Sequence, residues 1–428
     1  MSPAAASPPY HPRDPLGWTA VIVLAFFGLC VVRLTVPSKP FFDEVHYLPA
    51  ARAILALSHP ANPEHPPLGK EIIALGIALF GDRPLGWRLM SALFGTLALY
   101  AAMRAMWFAS LSRFATVACG MLLVTAFPLL VQSRIAMLDI FMASFVMVAL
   151  WQCAGAVREP ETARWRLAGA GLSLGLAMAA KWNAIPVAVL PGLAFLAVRA
   201  RSAGWRLVTA YRSAPVPGMT LAEATLWFGL VPLAAYAASY WPNFLYAERA
   251  IEPGGLVDWH RHMLELQGQV VAPHTYMSVW YEWVGNWRAI WYLYEVADGA
   301  QRGVLLIGNP LTMVIGLPAM AWCGWAGLFR RRWDALAVFV LYAVSLGMWI
   351  VAPKPVQFYY HYFLPGCFLM AGLALALDEL WRRRWHKTVV LVLTLTAGLF
   401  AYFWPILTAA PLDDGQAFLR YAWLESWR

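Results

Sequence analysis

Long apolar runs broken by short polar stretches dominate the chain from residue 17 onward. About 20 apolar residues in helical form cross the ~30 Å of bilayer hydrocarbon. On that measure the runs at 17–36, 84–104, 115–132, 135–157, 165–181, 183–199, 221–241, 303–329, 335–352, 358–377 and 388–410 predict eleven transmembrane helices. The first follows a Pro-rich start, SPPYHPRDPLG, with no small-residue cleavage site, so it is expected to be a retained helix whose N-terminal side is cytoplasmic. Two longer segments, 37–83 and 242–302, are too polar to span and carry stretches suited to amphipathic helices.

Composition narrows the class. With 61% hydrophobic and 13% charged residues, a soluble fold could not hide its apolar fraction, and disorder or a secreted disulfide scaffold is excluded. The expected fold is all-α: one polytopic membrane domain over 1–428, without a separate soluble domain. The net charge of +9 reflects topology, not a nucleic-acid partner. Seventeen cations, from Arg13 to Lys387, and only seven acids fall on the cytoplasmic side; fifteen cations and sixteen acids fall on the other. The positive-inside rule therefore places both polar segments, and the C-terminus, at the outer face. The five cysteines lie in spans, where a buried thiol is expected.

Candidate chemistry concentrates in those outer segments. FFDEVHY places Asp43, Glu44 and His46 at the membrane surface. A solvated acid pair at a helix start would look the same, so the pair alone leaves structure and catalysis open. HPPLGK then turns the chain at His65 and delivers Lys70 at the start of an amphipathic helix, where backbone N–H groups and an ammonium suit an anion. Arg is the default cation here, so the lysines stand out: Lys39, Lys70, Lys181 and Lys354 are outside and only Lys387 inside. Lys181, in KWN, interrupts two apolar stretches too short to span and is expected below the outer surface, a functional position unless the side chain snorkels. Arg88, Arg134, Asp139 and His361 lie near the outer ends of spans; a partner for Asp139 is required, and its role is structural or functional. In the second outer segment Trp280, Trp283, Trp287 and Trp291 recur at helical steps, an interfacial aromatic face, leaving His274, Ser278, Glu282 and Arg288 for a ligand. The histidines lack a tight metal spacing.

FFDEVHY, then HPPLGK, GWR at span two, R-x-x-x-L-D at span four and KWN together resemble the protein O-mannosyltransferases, GT-C-type membrane glycosyltransferases that use a polyprenyl-phosphate sugar. The match covers most of the first 185 residues and returns weakly in the second outer segment and in YYHYFLP. Nothing like the soluble MIR domain of eukaryotic members interrupts 242–302, which suits the bacterial branch. The resemblance implies inverting transfer of a sugar, most plausibly mannose, to Ser/Thr hydroxyls of an unfolded or translocating protein at the outer face of a bacterial inner membrane. It implies Asp43 as base with Glu44 in support. Donor phosphate contacts are expected from His65, Lys70, Arg88, Arg134, Lys181, Lys354 and His361. Sugar or acceptor contacts are expected from His46, Asp139, His274, Ser278, Glu282 and Arg288. No cofactor beyond the lipid-linked donor is required, and a metal is unnecessary. Transfer to lipid A or another glycan is the nearest alternative; a lipid-linked sugar flippase fits less well, because no internal repeat or midplane charge is present.

Overall fold

A computed structural model describes residues 13–269, 274–352 and 354–428. Among the described residues, eight helices are long and apolar enough to cross a membrane: Pro84–Ser110, Leu138–Arg158, Trp182–Arg206, Leu221–Ala238, Pro310–Arg330, Trp333–Val351, Tyr359–Arg382 and His386–Leu407. Leu16–Val31 and Arg113–Thr125 are shorter apolar helices, and Ala163–Ala180 is a helix over the expected run 165–181. The chain is a multi-pass membrane protein of predominantly helical fold. Apolar side chains face lipid along many of these helices, whereas Pro84–Ser110 and Tyr359–Arg382 are largely enclosed.

Two boundaries differ from the expected ones. The third span breaks at Ala126–Phe127 and resumes as the short helix Pro128–Gln132, because Pro128 cannot continue a hydrogen-bonded helix. The expected span 303–329 begins only at Pro310; the residues before it form a two-stranded antiparallel hairpin, β1 (Ile290–Ala297) and β2 (Ala300–Leu306). Asp298 and Gly299 at its tip both have positive φ, the two-residue turn that an Asp-Gly pair favours. The Trp stripe is therefore not one helix: Trp280 and Trp283 lie in the helix Trp280–Val284, Trp287 is exposed in the following turn, and Trp291 is buried in β1.

The polar segments 37–83 and 242–302 form one layer. Ser38 donates from its backbone N–H to the Asp298 carboxylate at 2.8 Å, and Lys39 pairs with Glu295 at 3.1 Å. Farther along, the Ala247 and Glu248 N–H groups donate to the carbonyls of Leu57 and Ser58, and Gln267, from the helix Leu256–Gly268, donates to the Glu64 carbonyl at 2.7 Å. Beneath this layer, helices approach closely at small residues. A side chain at Gly171 would collide with the Trp227 carbonyl, within a π-helical turn at Leu226–Leu230, and one at Gly95 would overlap the Ser133 hydroxyl.

Candidate active site

Asp43 begins the helix Glu44–Ala56 as its N-cap residue, but its carboxylate makes no cap bond. Among the described residues it takes part in no side-chain hydrogen bond or ion pair. Burial pushes its carboxyl up to about 6 against the pull of Lys181, with Asp139, His46 and Lys354 also within electrostatic reach. A half-buried, unengaged carboxylate with that affinity is suited to accept a proton near neutral pH.

Glu44, one residue on, has a different task. Its carboxylate is fully enclosed and receives the Nε and one terminal nitrogen of Arg88, each at 2.8 Å, the Ala136 N–H at 3.0 Å and the Phe41 N–H at 3.2 Å. Arg88 spends its remaining donors on the carbonyls of Leu34, Pro37 and Lys39. This corrects one expectation, since Arg88 has no donor left for a phosphate; the Glu44 carboxylate is fully engaged in the same cluster. Together they clamp the entry to the Asp43 helix onto the loop before Leu138–Arg158.

Arg134 is likewise withdrawn from phosphate contact. It donates to the carbonyls of Leu29, Cys30, Arg33 and Thr408, binding the end of Leu16–Val31 to the end of His386–Leu407. Nor does it pair with Asp139, whose two oxygens lie 2.9 and 2.8 Å from the Lys181 ammonium. Lys181 caps the C-terminal end of Ala163–Ala180, is nearly fully buried, and sits 4.9 Å from the Tyr360 ring centroid. It is a buried ion-pair partner, not a snorkelling side chain. Lys70 directs its ammonium at the carbonyls of Asn62 and His65 at 2.7 and 2.8 Å, so two of its three donors stabilise the turn that precedes it, and burial lowers it to about 8.

Two further residues retain open functionality. Lys354 makes no side-chain hydrogen bond or ion pair among the described residues, and burial beside Lys181 lowers it to about 8. The Nδ1 of His361 accepts from the Phe358 N–H at 3.0 Å, which assigns the ring proton to Nε2; that atom is buried without a partner. His65 packs edge-on to Tyr47, and burial with Lys181 and Lys354 nearby holds its imidazole well below the usual range, neutral at pH 7. Asp43, His65, Asp139, Lys181, Lys354 and His361 thus form one electrostatic neighbourhood.

The residues expected to bind sugar or acceptor are mostly elsewhere. His46 is exposed one turn after Asp43. His274 accepts locally from Tyr276, and the Ser278 hydroxyl accepts from Trp283. Glu282 receives the Val279 N–H at the start of its own helix, and Arg288 donates to the Thr275 carbonyl. These are local structural bonds, and His274, Ser278, Glu282 and Arg288 do not join the Asp43 neighbourhood. Sequence reasoning missed Tyr292 and Tyr360, which approach Asp43 from a strand and a 3₁₀ turn, and Gln132, which meets Tyr292 from a broken span. Only Gln132 carried a one-dimensional sign, as an amide closing an apolar run. Among the described residues, no three His, Cys, Asp or Glu side chains converge as metal ligands would.

A helical membrane bundle capped by a polar layer, with a free carboxylate beside buried lysines, has the architecture of membrane glycosyltransferases. The sequence profile of dolichyl-phosphate-mannose-protein mannosyltransferases matches residues 19–247, and the chain belongs to that family. Over 507 aligned positions it is 28% identical to the polyprenol-phosphate-mannose–protein mannosyltransferase of Mycolicibacterium smegmatis, covering 100% of this chain and 97% of that one. The Mycobacterium tuberculosis enzyme of the same name is also 28% identical, with 98% and 94% covered. Among solved structures, the Saccharomyces cerevisiae Pmt1-Pmt2 O-mannosyltransferase complex bound to its sugar donor matches at TM-score 0.81 and 13% identity, covering 97% of this chain and 93% of that one. ArnT from Cupriavidus metallidurans bound to undecaprenyl phosphate matches at TM-score 0.57 and 16% identity, with 95% and 79% covered. These two structural likenesses establish the fold.

Proposed function

We propose that this protein transfers mannose from a polyprenyl-phosphate donor to Ser/Thr hydroxyls of protein, with Asp43 as the base. The observation that carries the reading is the Asp43 carboxylate, free of any side-chain bond beside the paired carboxylates of Glu44 and Asp139, with its affinity raised to about 6. Asp43 accepts the hydroxyl proton as the acceptor oxygen bonds to the sugar C1. The bond from C1 to the phosphate oxygen breaks, its electron pair leaves with the polyprenyl phosphate, and the single displacement inverts the anomeric centre. The phosphodiester carries one negative charge and the departing monoester two. Lys354, Lys181 and the Nε2–H of His361 answer that developing charge. Lys70, Arg88 and Arg134 instead hold the scaffold, and Glu44 positions Asp43.

The site faces the outer side of a bacterial inner membrane. Support comes from the charge asymmetry of the loops and the joining of both outer segments in one layer. A cysteine at exposed position 46 should be labelled by a membrane-impermeant maleimide from outside, and labelling only after permeabilisation would reverse the orientation. For the reaction itself, purified protein in nanodiscs should move labelled mannose from polyprenyl-phosphate-mannose to a Ser/Thr-rich peptide. Transfer to lipid A with none to peptide would overturn the acceptor assignment.

A further inference from the structure

Near Asp43 the Gln132 amide and the Tyr292 hydroxyl face each other and meet no other hydrogen-bonding group. Both side chains are buried, at 0% and 4% exposure. Native interiors satisfy nearly all such groups, so a pair left open beside a reactive carboxylate points to a ligand. The two groups neighbour each other, and the Tyr292 hydroxyl lies within the electrostatic reach of Asp43 and Asp139. Its ring is fixed by stacking on Phe42, the residue before Asp43, with centroids 4.0 Å apart.

Gln132 is held just as firmly. The short helix it closes starts after Phe127, a buried non-glycine residue at φ 79° whose ring packs 5.2 Å from Phe403. A left-handed residue of that size is strained and persists only because packing holds it there. Four residues later, the Ala136 N–H bonds Glu44, so the segment bearing Gln132 is tied to the helix start bearing Asp43.

Resting on the proposed reaction, we infer that Gln132 and Tyr292 bind hydroxyls of the donor sugar and select which sugar is transferred. A sugar hydroxyl donates and accepts one bond apiece, and so does a tyrosine hydroxyl, while a glutamine amide offers both kinds at fixed spacing. A phosphate only accepts, and it would be met poorly by an amide whose carbonyl also requires a donor. The division of labour follows: lysines and His361 for the phosphate, Gln132 and Tyr292 for the neutral polyol between phosphate and base.

The test compares Gln132→Leu and Tyr292→Phe with the wild type. Binding is titrated with sugar-free polyprenyl phosphate, with polyprenyl-phosphate-mannose, and with mannosyl donors deoxygenated singly at C2, C3, C4 and C6. Each variant should bind the mannosyl carrier about 3- to 10-fold more weakly, as for a lost neutral hydrogen bond, and the sugar-free carrier within about 2-fold of wild type. At least one deoxy donor should bind wild type and variant alike, because the bond is already missing from the ligand. Equal weakening toward both carriers, or unchanged affinity for the mannosyl carrier, would overturn the inference. Because binding is read without turnover, a wild type that binds the donor yet fails to mannosylate peptide would count against the proposed reaction and leave this assignment standing.

Discussion

Replacing Glu44 with Gln removes one charge from a site that geometry cannot reorganise. One carboxylate oxygen accepts from Arg88 Nε and Ala136 N–H, the other from the Arg88 terminal nitrogen and Phe41 N–H. Either orientation of the amide presents an NH₂ group to two donors, losing two hydrogen bonds and leaving a fully buried guanidinium without its counter-charge. Breaking a buried pair in this way costs about 3–5 kcal/mol. The loss should lower the thermal midpoint in detergent, followed by tryptophan fluorescence, by several degrees. Transfer should fall because Asp43 loses its register, while whatever activity remains keeps the wild-type dependence on pH. Arg88→Lys should behave alike, since a single ammonium cannot replace five directed donors. A Glu44→Gln protein with an unchanged midpoint and abolished transfer would refute the positioning role and return Glu44 to the chemistry.

Other outcomes follow from the same contacts. The pH profile of kcat/KM should be bell-shaped: it rises through about 6 as Asp43 loses the proton it must be free to accept, and falls through about 8 as Lys354 loses the charge that meets phosphate. A profile flat from pH 5 to 9 would contradict both assignments. Lys354→Met should weaken polyprenyl phosphate binding about 10- to 100-fold, the worth of a charge-assisted bond, whereas Lys387→Met, exposed on the opposite side, should leave the titration unchanged. Arg134→Ala frees four carbonyls that join the first and last spanning helices and should lower thermal stability without shifting either limb of the pH profile.

The spans were legible because lipid imposes a length and a hydropathy that are written locally, and the break at Ala126–Phe127 is announced by Pro128. The hairpin was missed although its Asp-Gly turn was in view, because tryptophans at helical steps over 280–291 fit a helix as well as they fit a helix, a turn and a strand. At the site, Lys181 is buried within the protein, but one of its flanking apolar stretches, Trp182–Arg206, is longer than expected and long enough to cross a membrane. The partner of Lys181 was unreadable: Asp139 lies next to Arg134 in sequence but bonds a lysine 42 positions away. Asp43 and Glu44 present the same difficulty. Adjacent acids at a helix start look alike in one dimension, and only the fold that brings Arg88 and Ala136 to one of them separates clamp from base.

The role of Asp43 is tested most directly by Asp43→Asn, measured for peptide mannosylation across pH and for polyprenyl phosphate binding on the same preparation. The amide keeps the shape and cannot accept the hydroxyl proton, so transfer should fall by about 10²-fold or more. The residual rate should lose its rise near pH 6, with polyprenyl phosphate affinity preserved. Near-wild-type turnover with the acid limb intact would contradict the account and place the base at another residue.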